Sequence, residues 1–201
     1  VDAGITGVST VNLASVNAKI DASTAVNADT VVEIQSLVNS GIAAYGDAIA
    51  QIKAYILDGT TDAPTAAIYA DAGLSTIDTA DEVANANFYL NNVLTNADAS
   101  LAGTTILSRL TAQQTAVEKI NSYAVSNSNP LPNAADYIAA GISGATSTNV
   151  NELNAKVDIE SGITTVTGLQ VVTDPRNIVP PCAFIDAPTF SVYGGGGRSE
   201  E

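Results

Sequence analysis

The feature that most constrains the fold is a short phrase that the 201-residue chain carries twice. Residues 64–75 read "PTAAIYADAGLS" and residues 130–143 read "PLPNAADYIAAGIS", so that Pro64 and Tyr69 recur 68 positions later as Pro132 and Tyr137. An Ala-Gly pair follows each tyrosine at the same distance. Self-similarity at a fixed interval indicates tandem structural units that fold alike and pack on their neighbours.

Other residues keep this register. Tyr55 and Tyr123 are also 68 positions apart, and "TVNLASVNAKI" (10–20) matches "TNVNELNAKV" (148–157), which aligns Asn17 with Asn154. We therefore divide the chain into a first repeat at 1–68, a second at 69–136, a partial third at 137–160 and a tail at 161–201. Because Val1 aligns with a position partway through a unit, we expect a further unit to precede it, in this chain or another.

Apolar residues inside each unit recur at helical spacing. Thr10 is the predicted N-cap of a first helix whose Leu13 and Val16 share one face. A long second helix is predicted to begin at the capping box of Thr30 and Glu33 and to end before Gly59. In the second unit the same stripe is continued by Ile106, Leu110, Val117 and Ile120.

A short third helix is predicted after Pro64 and again after Pro132, and it ends at Gly73 or Gly141. The sequence thus predicts a mainly α fold of tandem three-helix repeats of about 68 residues, followed by an extended or β tail. We assign inter-repeat packing to Tyr55, Tyr69, Tyr123, Tyr137, Gly73 and Gly141. The alternative is that the tyrosines stack on a ligand, although helically spaced aromatic residues usually serve a core.

The helical spacing stops after Glu160. The stretch "SGITTVTGLQVVTDP" (161–175) is rich in threonine and valine and predicts one or two strands. Prolines and large apolar residues follow, and this segment either packs back on the helices or adds as a strand to a neighbouring subunit. Its predicted assembly contacts are Cys182, Phe184, Ile185, Phe190, Val192 and Tyr193. Cys182 is read as a small buried hydrophobe, with an intermolecular disulfide as the alternative.

Composition excludes several functions. The net charge is -14 and the seven cations are scattered singly, so nucleic acid is a poor partner. The chain has no histidine and one cysteine, which removes Ser-His and Cys-His catalysis and histidine-bearing zinc sites. No run of 18 apolar residues is present, so no membrane insertion is expected. We expect no enzyme activity and no cofactor or metal, with self-association or neighbouring repeats as the partner.

The phrases "DYIAAGISGATSTNVNELN" and "AGITGVSTVNLASVN" resemble the alanine-rich helical repeats of very large bacterial surface and adhesin-like proteins. This resemblance covers residues 1 to about 158. It implies an extracellular or cell-surface spacer or adhesive array. The apolar tail and the truncated first unit separately predict head-to-tail self-assembly through the C-terminal tail. About fifteen residues of the tail resemble the closing segment of phage tail-assembly proteins, so the alternative is a structural or assembly protein of a phage virion.

Overall fold

The computed structural model describes residues 4–126, 129–159 and 164–173. Within these ranges the chain forms eight α-helices and no β-strand, which confirms the expected mainly α fold. The helices are α1 (Leu13–Asp21), α2 (Val31–Asp58), α3 (Ala66–Asp71), α4 (Ala80–Asn92), α5 (Gly103–Val125), α6 (Ala134–Ala140), α7 (Val150–Ile159) and α8 (Val166–Thr173). Two short 3-10 turns lie at Ala25–Asn27 and Asp98–Ser100.

The long helix α2 has the ends that its sequence predicts. The Thr30 side chain accepts a hydrogen bond from the backbone N–H of Glu33, and the Glu33 carboxylate accepts one from the N–H of Thr30. Gly59 ends the helix with a left-handed φ of 60°, a conformation that glycine adopts without a steric penalty. Both predicted ends of this helix are confirmed.

The predicted N-cap of the first helix, Thr10, is wrong by two residues. Helix α1 begins at Leu13 and its N-cap is Asn12. The side chain of Asn12 accepts from the N–H of Ser9 at 2.8 Å and donates to the carbonyl oxygen of Gly7 at 3.1 Å. Residues 7–12 are therefore held as a loop by a side chain that competes with helical hydrogen bonding.

The short helices α3 and α6 end in the same way. In α3 the N–H of Leu74 donates to the carbonyl of Tyr69 and that of Gly73 to Ala70, which is the Schellman pattern. The corresponding bonds at the end of α6 run from Ile142 to Tyr137 and from Gly141 to Ile138. Gly73 and Gly141 have φ values of 90° and 95°, so each predicted stop is confirmed.

Two buried clusters form the core, and α5 contributes to both. Ile106 and Leu110, from the first half of α5, pack in a cluster with residues of α2, α3 and α4. Val117 and Ile120, from its second half, pack in a cluster with residues of α6, α7 and α8. The two halves of one helix therefore tie successive parts of the chain together.

The strand prediction for 161–175 is wrong over residues 166–173, which form α8. Val166 and Leu169 are buried and stand three positions apart, on one face of the helix. The Thr165 hydroxyl accepts from the N–H of Gly168 at 3.2 Å and helps to start the helix. Packing into the second cluster thus overrides the strand preference of threonine and valine. The predicted contacts of the tail, Cys182, Phe184, Ile185, Phe190, Val192 and Tyr193, lie outside the described residues.

Two glycines of α2 give a matched test of how closely α1 approaches α2. A Cβ on Gly41 would stand 2.5 Å from the Cα of Val16, whereas a Cβ on Gly46 would meet nothing within 4 Å. We expect Gly41→Ala to lower the free energy of unfolding by about 1–3 kcal/mol, because backbone must move. Gly46→Ala should raise it by about 0.5–1 kcal/mol through helix propensity. Urea unfolding followed by circular dichroism measures both, and equal effects would contradict the close approach.

Candidate functional site

Two fully buried tyrosines make matching polar contacts in two parts of the chain. Tyr69 and Tyr137 are each 0% exposed. The Tyr69 hydroxyl donates to Oδ1 of Asn87 at 2.7 Å, and the Tyr137 hydroxyl donates to Oδ1 of Asn154, also at 2.7 Å. In each case the tyrosine lies on a short helix and the asparagine on the helix that follows it, α4 or α7.

Each asparagine also holds the chain segment that leads into the short helix. Nδ2 of Asn87 donates to the carbonyl oxygen of Pro64 at 3.0 Å, and Nδ2 of Asn154 donates to that of Pro132 at 2.9 Å. One amide therefore ties the start of a short helix and its tyrosine to the next helix. We call these sets the first clamp (Pro64, Tyr69, Asn87) and the second clamp (Pro132, Tyr137, Asn154).

Both clamp hydroxyls stay protonated over the ordinary pH range. Burial raises the pKa of Tyr69 far above its usual value, and the neighbouring Tyr55 adds to the effect. Burial likewise raises the pKa of Tyr137, with smaller contributions from Tyr123 and Asp136. A phenol that remains neutral keeps its O–H, so each clamp keeps its donor.

The other predicted packing residues lie beside the clamps. Tyr55, near the end of α2, is buried in the same cluster as Tyr69, and Tyr123, near the end of α5, is buried in the same cluster as Tyr137. The clamp rings have no exposed face on which a ligand could stack. Gly141 lies close to α4, since a Cβ there would stand 3.1 Å from Val93.

Ion pairs add to the helix contacts without dominating them. Lys19 on α1 meets Asp71 on α3 at 3.1 Å, and Lys119 on α5 meets Asp136 on α6 at 2.6 Å. These side chains are partly exposed, so each pair contributes about 0–1 kcal/mol.

A pocket of about 190 Å³ lies between α4, α5 and Thr164. Its lining includes Asp81, Glu118 and Gln113, and Oε1 of the buried Gln113 has no hydrogen-bond partner. Across the described ranges, no three acidic, histidine or cysteine side chains are grouped so as to hold a metal ion.

The loop "LDGTTDAP" at residues 57–64 has a local structural role. The carboxylate of Asp58 accepts from the backbone N–H groups of Thr60 and Thr61 and from the Thr61 hydroxyl. These bonds lower the pKa of Asp58 and keep its charge engaged with the turn after α2.

Sequence reasoning found both tyrosines of the clamps but missed Asn87. Asn17 and Asn154 align at an interval of 137, yet the 68-residue register places Ala86 opposite Asn154. Asn87 stands 18 positions after Tyr69, whereas Asn154 stands 17 after Tyr137, so one extra residue in the second unit hides the match. A search for asparagine within one position of the register returns Asn85 as well as Asn87, and the fold distinguishes them.

Comparison with protein-family models, curated proteins and solved structures finds no match to this chain. In the part of the chain that the structure describes, no helix is both long enough and apolar enough to span a membrane.

The second clamp can be tested by a double-mutant cycle. Tyr137→Phe leaves Oδ1 of the buried Asn154 without its donor, so we expect a loss of about 1–3 kcal/mol in the free energy of unfolding. Asn154→Ala should cost a similar amount, and the double variant should lose less than the sum. Tyr45→Phe is the control, because Tyr45 is half-buried and its hydroxyl has no hydrogen bond within the described residues. Additive losses at Tyr137 and Asn154 in denaturant unfolding would contradict the clamp.

Proposed function

We propose that this chain is a non-enzymatic structural repeat protein of a bacterial cell surface or extracellular assembly, where it acts as a spacer or adhesive array. The observation that carries the proposal is the clamp, which occurs twice with the same residue types, the same atoms and nearly the same distances. Two unrelated packing solutions would not repeat a Tyr–Asn–Pro set. A joint that one unit makes with the next can be made again by any further unit.

The repeat unit consists of a first helix, a long helix and a short tyrosine-bearing helix. Helices α1, α2 and α3 form the first unit, and α4, α5 and α6 form the second. The third begins with α7, and we extend it through α8, which follows α7 as α2 follows α1 and α5 follows α4. The hydroxyls of Thr30 and Thr165 each accept from a backbone N–H three residues later, both at 3.2 Å.

Composition and resemblance support the extracellular setting. The chain carries -14 net charge, and three of its seven cations, Lys19, Arg109 and Lys119, are held in ion pairs within the fold. Such a surface repels polyanions and favours solubility. The proposed partners are neighbouring repeats of the same polypeptide or further copies of the chain, which the tail would join head to tail.

An inserted unit tests the array. A second copy of residues 69–136, placed between Asp136 and Tyr137, restores the register at both new joints. We expect unchanged helical circular dichroism per residue and a fixed increase in the maximum dimension from small-angle X-ray scattering for one and for two inserted copies. A matched insert of the same length with Tyr69→Phe and Asn87→Ala should be less stable. Loss of helical signal or aggregation of the clamp-bearing insert would contradict a repeat architecture.

The proposed extracellular location is tested separately with antibodies raised against the folded chain. We expect them to label intact cells of the source bacterium without permeabilisation, because an extracellular array is accessible from outside. Labelling confined to phage particles would instead favour the virion alternative, and labelling only after permeabilisation would contradict both settings.

A further inference from the structure

The outer face of α1 carries an asparagine in the clamp position without a clamp. Asn17 aligns with Asn154, which is 3% exposed and bonded on both sides of its amide. Asn17 is exposed, and its side chain has no hydrogen bond to any described residue. The first helix of the chain therefore presents, without a tyrosine or proline partner among the described residues, the same asparagine that α4 and α7 use in the two clamps.

The loop before α1 already has the conformation of the loop before α7. Ser9 N–H donates to Oδ1 of Asn12 at 2.8 Å, and Thr146 N–H donates to Oδ1 of Asn149 at 2.8 Å. Nδ2 of Asn12 then donates to the Gly7 carbonyl, as Nδ2 of Asn149 does to the corresponding glycine carbonyl.

The glycines of the two loops also agree. Gly4 and Gly7 have φ values of 74° and 87°, against 95° and 81° for Gly141 and Gly144. Since Gly141 adopts its value as the end of a tyrosine-bearing helix, Gly4 has the backbone that such a helix would need. The joint is therefore preorganised on the α1 side.

Near α1, apolar side chains are exposed whose counterparts beside the two clamps are buried. Val8 is 42% exposed, whereas its counterparts Ile77 and Ala145 are 0% and 7% exposed. Ile77 belongs to the buried cluster of Tyr69, and Ala145 belongs to that of Tyr137. Leu13, on the same side of the first unit, is 44% exposed.

We propose that the α1 face, defined by Val8, Leu13 and Asn17, is the docking site for the tyrosine-bearing end of another unit of this repeat. The occupant has a Pro-x4-Tyr-x3-Gly spacing, and it donates its tyrosine hydroxyl to Oδ1 of Asn17 while Nδ2 of Asn17 donates to its proline carbonyl. A tyrosine placed directly before Val1 would stand 17 positions from Asn17, as Tyr137 does from Asn154. This inference rests on the proposed repeat architecture.

An additional unit fits this face better than a second copy of the chain does. Three tyrosines have the proper spacing: Tyr69 and Tyr137 are buried in their own clamps, whereas Tyr193, which follows Pro188, lies outside the described residues. A second copy that docked through Tyr69 or Tyr137 would first have to open a clamp, and so would gain no net contact. At both existing joints the preceding long helix also packs on the next first helix, α2 on α4 and α5 on α7. The occupant therefore includes the end of a long helix as well.

The test adds a copy of residues 1–69 directly before Val1 of the 201-residue chain. This extension supplies a long helix, the proline and a tyrosine in register with Asn17. We compare this extension with a second one in which its last residue, the copy of Tyr69, is changed to phenylalanine. Each extension is joined both to the original chain and to the original chain with Asn17→Ala. Asn17 is exposed and unbonded among the described residues, so Asn17→Ala should leave the unextended chain folded and equally stable.

With Asn17 present, the tyrosine extension should melt about 2–4 °C above the phenylalanine extension, the effect of one buried hydrogen bond in a chain of this size. With Asn17→Ala the difference should vanish. Val8→Asp gives a second readout, because it should be tolerated in the unextended chain and should lower the melting temperature of the extended one.

The possible failures are distinguishable. If the tyrosine and phenylalanine extensions melt together while Tyr137 and Asn154 remain coupled in the full chain, the docking site is wrong and the proposed repeat joint stands. If neither pair is coupled, both the docking site and the proposed function are wrong. If the unextended chain dimerises in sedimentation and Val8→Asp abolishes the dimer, the occupant is a second copy and the proposal is overturned.

Discussion

The proposed repeat joint depends on one amide side chain in each clamp. Asn87 and Asn154 each use both ends of the amide, accepting from a tyrosine hydroxyl and donating to a proline carbonyl. Asn154 is buried and Asn87 is half-buried. A buried amide is stabilising only when every polar atom is satisfied, because an unpaired one costs about 1–3 kcal/mol. The geometry of the joint is therefore narrowly specified: a unit that docks out of register leaves three polar groups without partners.

Small side chains make this specificity necessary. Aromatic residues are 5% of the chain, so its hydrophobic content of 46% comes mostly from alanine and small aliphatic residues. Small residues let helices approach closely, as Gly41 does against Val16, but their surfaces distinguish poorly between one register and the next. The clamps supply the directionality that a core of larger, interlocking side chains would otherwise provide.

Local signals predicted most of the helices, while partners distant in sequence accounted for the errors. The capping box at Thr30 and the stops at Gly73 and Gly141 depend on neighbouring residues, and they were predicted from sequence. The start of α1 was not predicted correctly, because the side chain of Asn12 forms hydrogen bonds with the loop before it. Helix α8 was missed because β-branched residues favour strands in isolation, whereas Val166 here packs on helices. Asn87 was missed because its partners, Tyr69 and Pro64, are identified only by the folded joint.

The hydrogen bond between Tyr137 and Asn154 affects how the chain can bend. These residues are 17 positions apart, and their hydrogen bond closes the intervening segment into a loop. The glycines of that loop, Gly141 and Gly144, would by themselves allow free bending between successive units. Asn154 is bonded both to the Tyr137 hydroxyl and to the Pro132 carbonyl oxygen. Because these are two separate points, each hydrogen bond opposes rotation about the other. In the proposed array, the neutral hydrogen bonds of the clamps add to the apolar packing between units, and salt does not screen them as it would ion pairs.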